Sequence, residues 1–250
     1  MGNYEQADFD GSADAGWAAL CRIGGAATFI LMAYSLATMV QLVVLGGQPT
    51  TAAEAFGLLQ SSRVLGLLRL DLPTVLALPL YYIVFSGLFA ALRRSDAAYA
   101  TLSTSFAFIG VTLLLATPTA LSMLSLSEKY AAATTGPARV NFLAAGEAVL
   151  ATDIWHETGA IIGGILLQGG AVLISVTMLR SSVFTKTVAY VGIVTHGLDL
   201  AHGLIGPLVP RAGLVLMAIA GPLYLIWFPL VGRRLLQLGD RRTFPAVSDR

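Results

Sequence analysis

Six long runs of apolar residues constrain this chain more than any other feature. They fall at residues 23–45, 72–92, within 97–127, 158–179, 187–209 and 212–232, and only the fifth run is interrupted by ionisable groups. Each run has about the 20 residues that an α-helix needs to cross a bilayer. Helices satisfy their backbone hydrogen bonds within one segment, and these runs lack the alternation of barrel strands. The sequence therefore predicts an all-α integral membrane bundle with six transmembrane helices.

The composition agrees with lipid as the main solvent of the chain. Hydrophobic residues make up 56% of the 250 residues and charged residues only 12%, whereas soluble domains carry about 25% charged residues. The net charge of +1 gives no electrostatic reason to expect a nucleic-acid partner. The single cysteine, Cys21, excludes an internal disulfide and a metal cage built from cysteines.

The distribution of Lys and Arg predicts the orientation. If both termini lie on one side, ten of the 15 basic residues fall on that side and five on the other. The ten are Arg22, Arg93, Arg94, Arg180, Lys186, Arg233, Arg234, Arg241, Arg242 and Arg250, and the five are Arg63, Arg69, Lys129, Arg139 and Arg211. Basic residues mark the cytoplasmic side. We therefore expect a bacterial-type plasma membrane protein with cytoplasmic N and C termini.

The segments outside the spans divide into two tails and two longer loops. We predict a disordered polar tail at 1–16, a six-helix transmembrane domain at 17–239 and a cytoplasmic tail at 240–250. The first loop carries a capping box at Thr51 and Glu54, and the second resumes as a helix after Gly136-Pro137. Both loops predict short interfacial helices on the outward side.

The stretch HGLDLAH, residues 196–202, places ionisable groups inside the fifth span. His196, Asp199 and His202 stand three residues apart and fan over about 120° of helix surface. Neighbouring members can touch, but one helix does not bring all three to one ion, since zinc sites on a single helix prefer a spacing of four. The stretch DIWHE at the start of the fourth span supplies Asp153, His156 and Glu157.

Three interpretations of these groups stay open. His156, Asp199 and His202 can converge on a divalent metal with an open catalytic position, which makes a metal-dependent hydrolase. Alternatively, the groups form a buried hydrogen-bond network that fixes helix packing, with the members His196, Asp199, His202, Asp153 and Glu157. In the third interpretation they line a path for protons or a ligand, because intramembrane ionisable groups are functional by default. Apart from that divalent metal, the sequence predicts no cofactor.

Glycines on the fourth span indicate close helix packing. Gly159 and Gly163 form a G-x-x-x-G pair, which serves contacts within the chain or between chains. A homo-oligomer through this face is one consequence.

Three passages give the chain a family resemblance. They are CRIGG before the first span, MLRSSVFTKTVAYVGI between the fourth and fifth, and AGPLYLIWFPLVGRRLLQLG at the end. Together they resemble a bacterial family of multi-pass membrane proteins known as the domain of unknown function 4386. The resemblance covers about residues 17–239 and implies a six-helix inner-membrane protein, and no activity comes with it.

Our leading expectation for function is a non-enzymatic protein that binds or passes a small, apolar or weakly polar ligand through an outer-leaflet cavity near the fifth span. The first alternative is the intramembrane metal-dependent hydrolase that uses His156, Asp199 and His202. The second is a structural or sensory partner of another membrane protein.

Overall fold

The computed structural model describes residues 2–154 and 156–240, and every regular element in this part of the chain is an α-helix. In chain order the helices are α1 (Gly2–Leu45), α2 (Ala52–Ser61), α3 (Arg63–Arg69), α4 (Leu72–Ala77), α5 (Pro79–Leu92), α6 (Ala97–Leu115), α7 (Ala120–Ala132), α8 (Gly136–Leu150), α9 (Thr158–Arg180), α10 (Lys186–Ile205) and α11 (Pro210–Gly239). The predicted fold class is confirmed.

Within the described residues, six helical segments are long and apolar enough to cross a membrane. They are Ala15–Leu45, Leu72–Leu92, Ala97–Ala132, Thr158–Arg180, Lys186–Ile205 and Pro210–Gly239. Each overlaps one of the six runs predicted from the sequence. The structure differs from the prediction of a disordered tail at 1–16, since α1 begins at Gly2 and residues 2–16 are helical. No proline interrupts the chain before Pro49, so nothing in this polar stretch forces the helix to end. The predicted C-terminal tail lies outside the described residues from position 241 onward.

The third span is broken at Pro118, because proline has no backbone N–H to continue a helix. The first half, α6, ends at Leu115, and α7 starts at Ala120. The buried carboxylate of Asp71 binds the new helix start and accepts hydrogen bonds from the backbone N–H groups of Thr119 and Ala120 and from the Thr119 hydroxyl. In contrast, Pro222 and Pro229 lie inside α11, which remains one helix.

Both longer loops are helical, as predicted. The capping box at the start of α2 is present: the Thr51 hydroxyl accepts a bond from the Glu54 N–H, and the Glu54 carboxylate accepts one from the Thr50 N–H. At the start of α8, the Thr135 hydroxyl accepts a bond from the Ala138 N–H. The first loop is interrupted at Ser62 and again at Leu70 and Asp71, so that α2, α3 and α4 are separate helices.

Contacts divide the chain into two compact units. Unit 1 comprises residues 1–35, 80–108 and 166–250, and unit 2 comprises residues 36–79 and 109–165. The core of unit 1 includes the fully buried side chains of Phe85, Ile174, Trp227 and Phe228. In unit 2, α2, α7 and α8 bury a cluster centred on Phe56, Leu59 and Met123.

Glycines bring helices of the same unit into backbone contact. In unit 1, a Cβ added at Gly24 would lie 3.0 Å from the Cα of Gly87. In unit 2, a Cβ at Gly163 would lie 2.9 Å from the carbonyl oxygen of Gly110. Gly163 therefore packs against α6 of its own chain. A Cβ at Gly159 would meet only the Glu157 side chain.

Candidate functional site: a polar centre on three helices

Helix α10 places two ionisable side chains one turn apart. Thr185 caps its start by accepting a bond from the Val188 N–H. Further along the helix, His196 is 1% exposed, and Asp199 on the next turn is half-buried. The apolar residues on either side keep this stretch helical within the span, so the two side chains need polar partners from other helices.

Those partners are Gln168 of α9 and Tyr224 of α11. The Gln168 amide Nε2 donates to Asp199 Oδ2 at 3.2 Å, and His196 Nδ1 donates to Gln168 Oε1 at 2.8 Å. The Tyr224 hydroxyl donates to Asp199 Oδ2 at 2.6 Å and also lies 3.2 Å from Gln168 Oε1. We call Gln168, His196, Asp199 and Tyr224 the polar centre; all four belong to unit 1.

The hydrogen bonds of the polar centre run from His196 to Gln168 and from Gln168 to Asp199, with the donor named first in each case. The Gln168 carbonyl oxygen only accepts, so the proton of a neutral His196 lies on Nδ1. At its other end, the Gln168 amide donates its N–H to Asp199, whose Oδ2 accepts hydrogen bonds from both Gln168 and Tyr224. His196 Nε2 is consequently an acceptor, and it is buried with no hydrogen-bond partner among the described residues. The centre is organised around the carboxylate of Asp199.

Asp199 makes no ion pair with Lys or Arg in the part of the chain that the structure describes, and the one basic side chain that interacts with it electrostatically is His202. Its two hydrogen bonds there both end on Oδ2, and Oδ1 makes none. No Lys or Arg lies within the fifth span between Lys186 and Arg211. The polar centre thus holds one oxygen of the carboxyl in place and leaves the other available.

Aromatic rings surround the polar centre. The ring of His196 lies 4.4 Å from that of Trp227, edge to face, and 5.3 Å from that of Tyr224. Tyr224 stacks on Phe228 at 5.3 Å, and Tyr81 of α5 meets Phe228 at 6.4 Å. Trp227 approaches this closely because Gly192 of α10 has no side chain to obstruct it.

His202, the third member of HGLDLAH, lies outside the polar centre. Its Nδ1 donates to the Gly213 carbonyl oxygen at 3.0 Å and links the end of α10 to the start of α11. The expected direct contact between Asp199 and His196 is replaced by the bridge through Gln168. His202 makes no hydrogen bond to Asp199, although the two are close enough to interact electrostatically. Of the five residues predicted for one buried network, only His196 and Asp199 share it.

The residues of DIWHE have local roles in unit 2. His156 Nδ1 lies 2.7 Å from Asp153 Oδ1, and the His156 side chain is 69% exposed. Glu157 Oε2 accepts a bond from the Ala160 N–H and caps the start of α9. A carboxylate at a helix N-terminus satisfies a free N–H and complements the helix dipole. Trp155 lies outside the described residues.

The predicted metal site is not assembled. Among the described residues, no group of three or more His, Cys, Asp or Glu side chains is placed to hold a metal ion. His156 bonds Asp153, Asp199 bonds Gln168 and Tyr224, and His202 bonds a backbone carbonyl. The prediction that His156, Asp199 and His202 converge is therefore wrong.

Gln168 and Tyr224 of the polar centre were not predicted from the sequence. Gln168 had a signal, because it is the only amide or charged side chain of α9 before Arg180. Tyr224 had none, since one tyrosine in an apolar span more often packs against its neighbours.

No family model, curated protein or solved structure matches the chain.

Proposed function

We propose that this chain is a multi-pass membrane protein that binds or passes a small ligand at the polar centre of unit 1. The observation that carries the proposal is the half-buried carboxyl of Asp199, which lies inside a span, is fixed through Oδ2 and has Oδ1 unengaged. Ionisable groups are costly within membranes and mark ligand or ion pathways when they occur there.

A purely structural network accounts less well for these groups. Buried polar atoms that serve packing alone are satisfied by partners, because each unsatisfied one costs about 1–3 kcal/mol. Among the described residues, the polar centre leaves His196 Nε2 buried without a partner and leaves Oδ1 of the half-buried Asp199 without a hydrogen bond. Unpaired acceptors beside a positioned carboxyl favour a site that a ligand completes.

We further propose the membrane in which the protein lies and its orientation. The excess of Lys and Arg on the side of the termini supports a bacterial-type plasma membrane protein with both termini in the cytoplasm. The passages CRIGG, MLRSSVFTKTVAYVGI and AGPLYLIWFPLVGRRLLQLG support membership of the domain of unknown function 4386 family.

The test is a ligand panel on the purified protein. Small alcohols, amides, phenols and amines are added to the protein in detergent, and thermal unfolding is followed for the wild type and for Asp199→Asn. The side-chain amide of this variant keeps an oxygen that accepts from Tyr224 and Gln168, so the variant is expected to fold. A compound at 100 times its Kd stabilises the folded state by about 2.7 kcal/mol. We expect at least one class to raise the Tm of the wild type and to have a smaller effect on the variant.

Two results contradict the proposal. One is a panel in which no compound shifts the Tm of the wild type. The other is a shift that is equal in the wild type and in Asp199→Asn, because such a compound binds elsewhere.

A further inference from the structure

We propose that the ligand is a small organic cation, an ammonium with apolar substituents, whose charge pairs with Oδ1 of Asp199 beside the aromatic rings of α5 and α11. This inference rests on the proposed function and adds the chemical class of the ligand. Three features of unit 1 support it: the charge of the centre, the direction of its hydrogen bonds and the chemistry of its walls.

The first feature is the missing positive charge. A carboxylate taken out of water needs a counter-charge or a proton, since an isolated buried ion costs many kcal/mol. Gln168 and Tyr224 are neutral donors, and a neutral His196 completes the centre without adding charge. No Lys or Arg lies in the fifth span. His202 is close enough to interact electrostatically with Asp199, but its Nδ1 is engaged by the Gly213 carbonyl oxygen, so Asp199 has no permanently charged cationic partner there. A cationic ligand supplies what the described residues lack.

The second feature is the arrangement of donors. Tyr224 and Gln168 both donate to Oδ2, which fixes the carboxyl and stabilises its ionised form. The remaining oxygen, Oδ1, has only lone pairs to offer. An N–H donor with a positive charge is the partner that matches a carboxylate acceptor most strongly.

The third feature is the aromatic surroundings. Tyr224 and Phe228 stack, and Tyr81 meets the Phe228 ring edge to face. Tyr81 is also close enough to Asp199 and Tyr34 to interact with them electrostatically. Aromatic faces attract ammonium groups within about 6 Å of the ring centroid. Apolar substituents on the nitrogen would pack against the same rings.

Other cations fit the centre less well. A divalent metal such as Ca²⁺ takes about six to eight oxygen ligands, and no His, Cys, Asp or Glu cluster for a metal exists among the described residues. Protonation of Asp199 would neutralise the carboxyl, but it would require neither an accessible oxygen nor aromatic rings around it.

The experiment compares charged and neutral probes of one shape. Binding of 2-phenylethylamine and of 2-phenylethanol is measured by calorimetry on the full chain in nanodiscs, with empty nanodiscs subtracted; butylamine and butanol form a smaller pair. The variants are Asp199→Asn and Asp96→Asn. Asp96 belongs to unit 1 and caps α6 through the Tyr99 N–H, so its substitution makes the same chemical change outside the polar centre.

We expect an amine to bind the wild type at least tenfold more tightly than its alcohol. Asp199→Asn should lose at least tenfold in affinity for the amine, and Asp96→Asn should bind as the wild type does. If amine and alcohol bind equally and both weaken in Asp199→Asn, the site and the proposed function stand and the cationic class is overturned. Amine binding that persists in Asp199→Asn, or no amine binding to the wild type, also overturns the cationic class, while the ligand panel decides the proposed function separately.

Discussion

Gln168 determines the geometry of the polar centre, since one amide contacts both ionisable groups of α10. Its nitrogen serves Asp199 and its oxygen serves His196, so the two side chains are linked without touching. An amide suits this position because it offers a donor and an acceptor at one end of the side chain.

Tyr224→Phe tests the hold on Asp199 by removing a single oxygen atom. The variant loses the 2.6 Å bond to Oδ2 and leaves the carboxyl to Gln168 alone. A bond to a charged group contributes about 1.5–3 kcal/mol, so we expect a loss of about 2 kcal/mol in unfolding free energy, measured by SDS titration and circular dichroism. Tyr190→Phe is the matched control, because Tyr190 is exposed on α10. Equal stabilities of the two variants would show that Tyr224 does not hold the carboxyl.

Asp71 is the second residue with a large expected effect. Asp71→Ala removes all three acceptor contacts at the broken third span and leaves the start of α7 uncapped. Caps contribute about 1 kcal/mol when exposed, and charged, buried bonds contribute more. We expect a loss of about 3 kcal/mol by the same titration. Asp96 caps α6 through one backbone contact, so the variant Asp96→Ala should lose about 1 kcal/mol in unfolding free energy. A smaller loss for Asp71 than for Asp96 would refute its capping role.

At the level of helices, small residues determine which backbones approach each other. Gly169 and Gly170 are adjacent in α9 but face different surroundings. A Cβ at Gly170 would lie 2.5 Å from the carbonyl oxygen of Ser103 in α6, and a Cβ at Gly169 would meet nothing within 4 Å.

This pair gives a prediction with an internal control. Gly170→Ala should destabilise the protein by about 2 kcal/mol, because α6 and α9 must separate to admit the methyl group. Gly169→Ala should be neutral or stabilising by up to about 1 kcal/mol, since alanine favours the helix. Unfolding of both variants in SDS is the measurement, and a loss of stability in Gly169→Ala as large as that in Gly170→Ala would contradict the packing.

The sequence predicted helices better than it predicted their contacts. Apolar runs located all six spans, and Thr51, Glu54 and Pro137 located the loop helices, because these signals are local. The partner of Asp199 depends on which faces of α9, α10 and α11 meet. Helix α9 is almost uniformly apolar around its circumference, so its sequence does not predict which of its faces packs against α10. His196 and Asp199 were identified from their rarity in a span, whereas their connection through Gln168 was not.

At the scale of the whole molecule, the charge distribution predicts which loops face the same side. A Cys21→Ala background removes the only, buried, cysteine. Single cysteines are then introduced as Thr134→Cys between α7 and α8 and as Ser182→Cys between α9 and α10, both exposed positions.

An impermeant maleimide should label intact cells at position 134 and reach position 182 only after permeabilisation. This result is expected because most basic residues lie on the side of the α9–α10 loop. Labelling of position 182 in intact cells would contradict the proposed orientation.

The polar centre also bears on how the protein is inserted during synthesis. The fifth span is the least apolar of the six, and an aspartate at the centre of a lone helix costs about 2.5–3.5 kcal/mol on insertion scales. Gln168 precedes Asp199 in the chain, and Tyr224 follows it. A newly made α10 can therefore find its first hydrogen-bond donor on α9, which has already emerged from the ribosome. We infer that α9 and α10 leave the translocation channel as a pair, before α11 completes the centre.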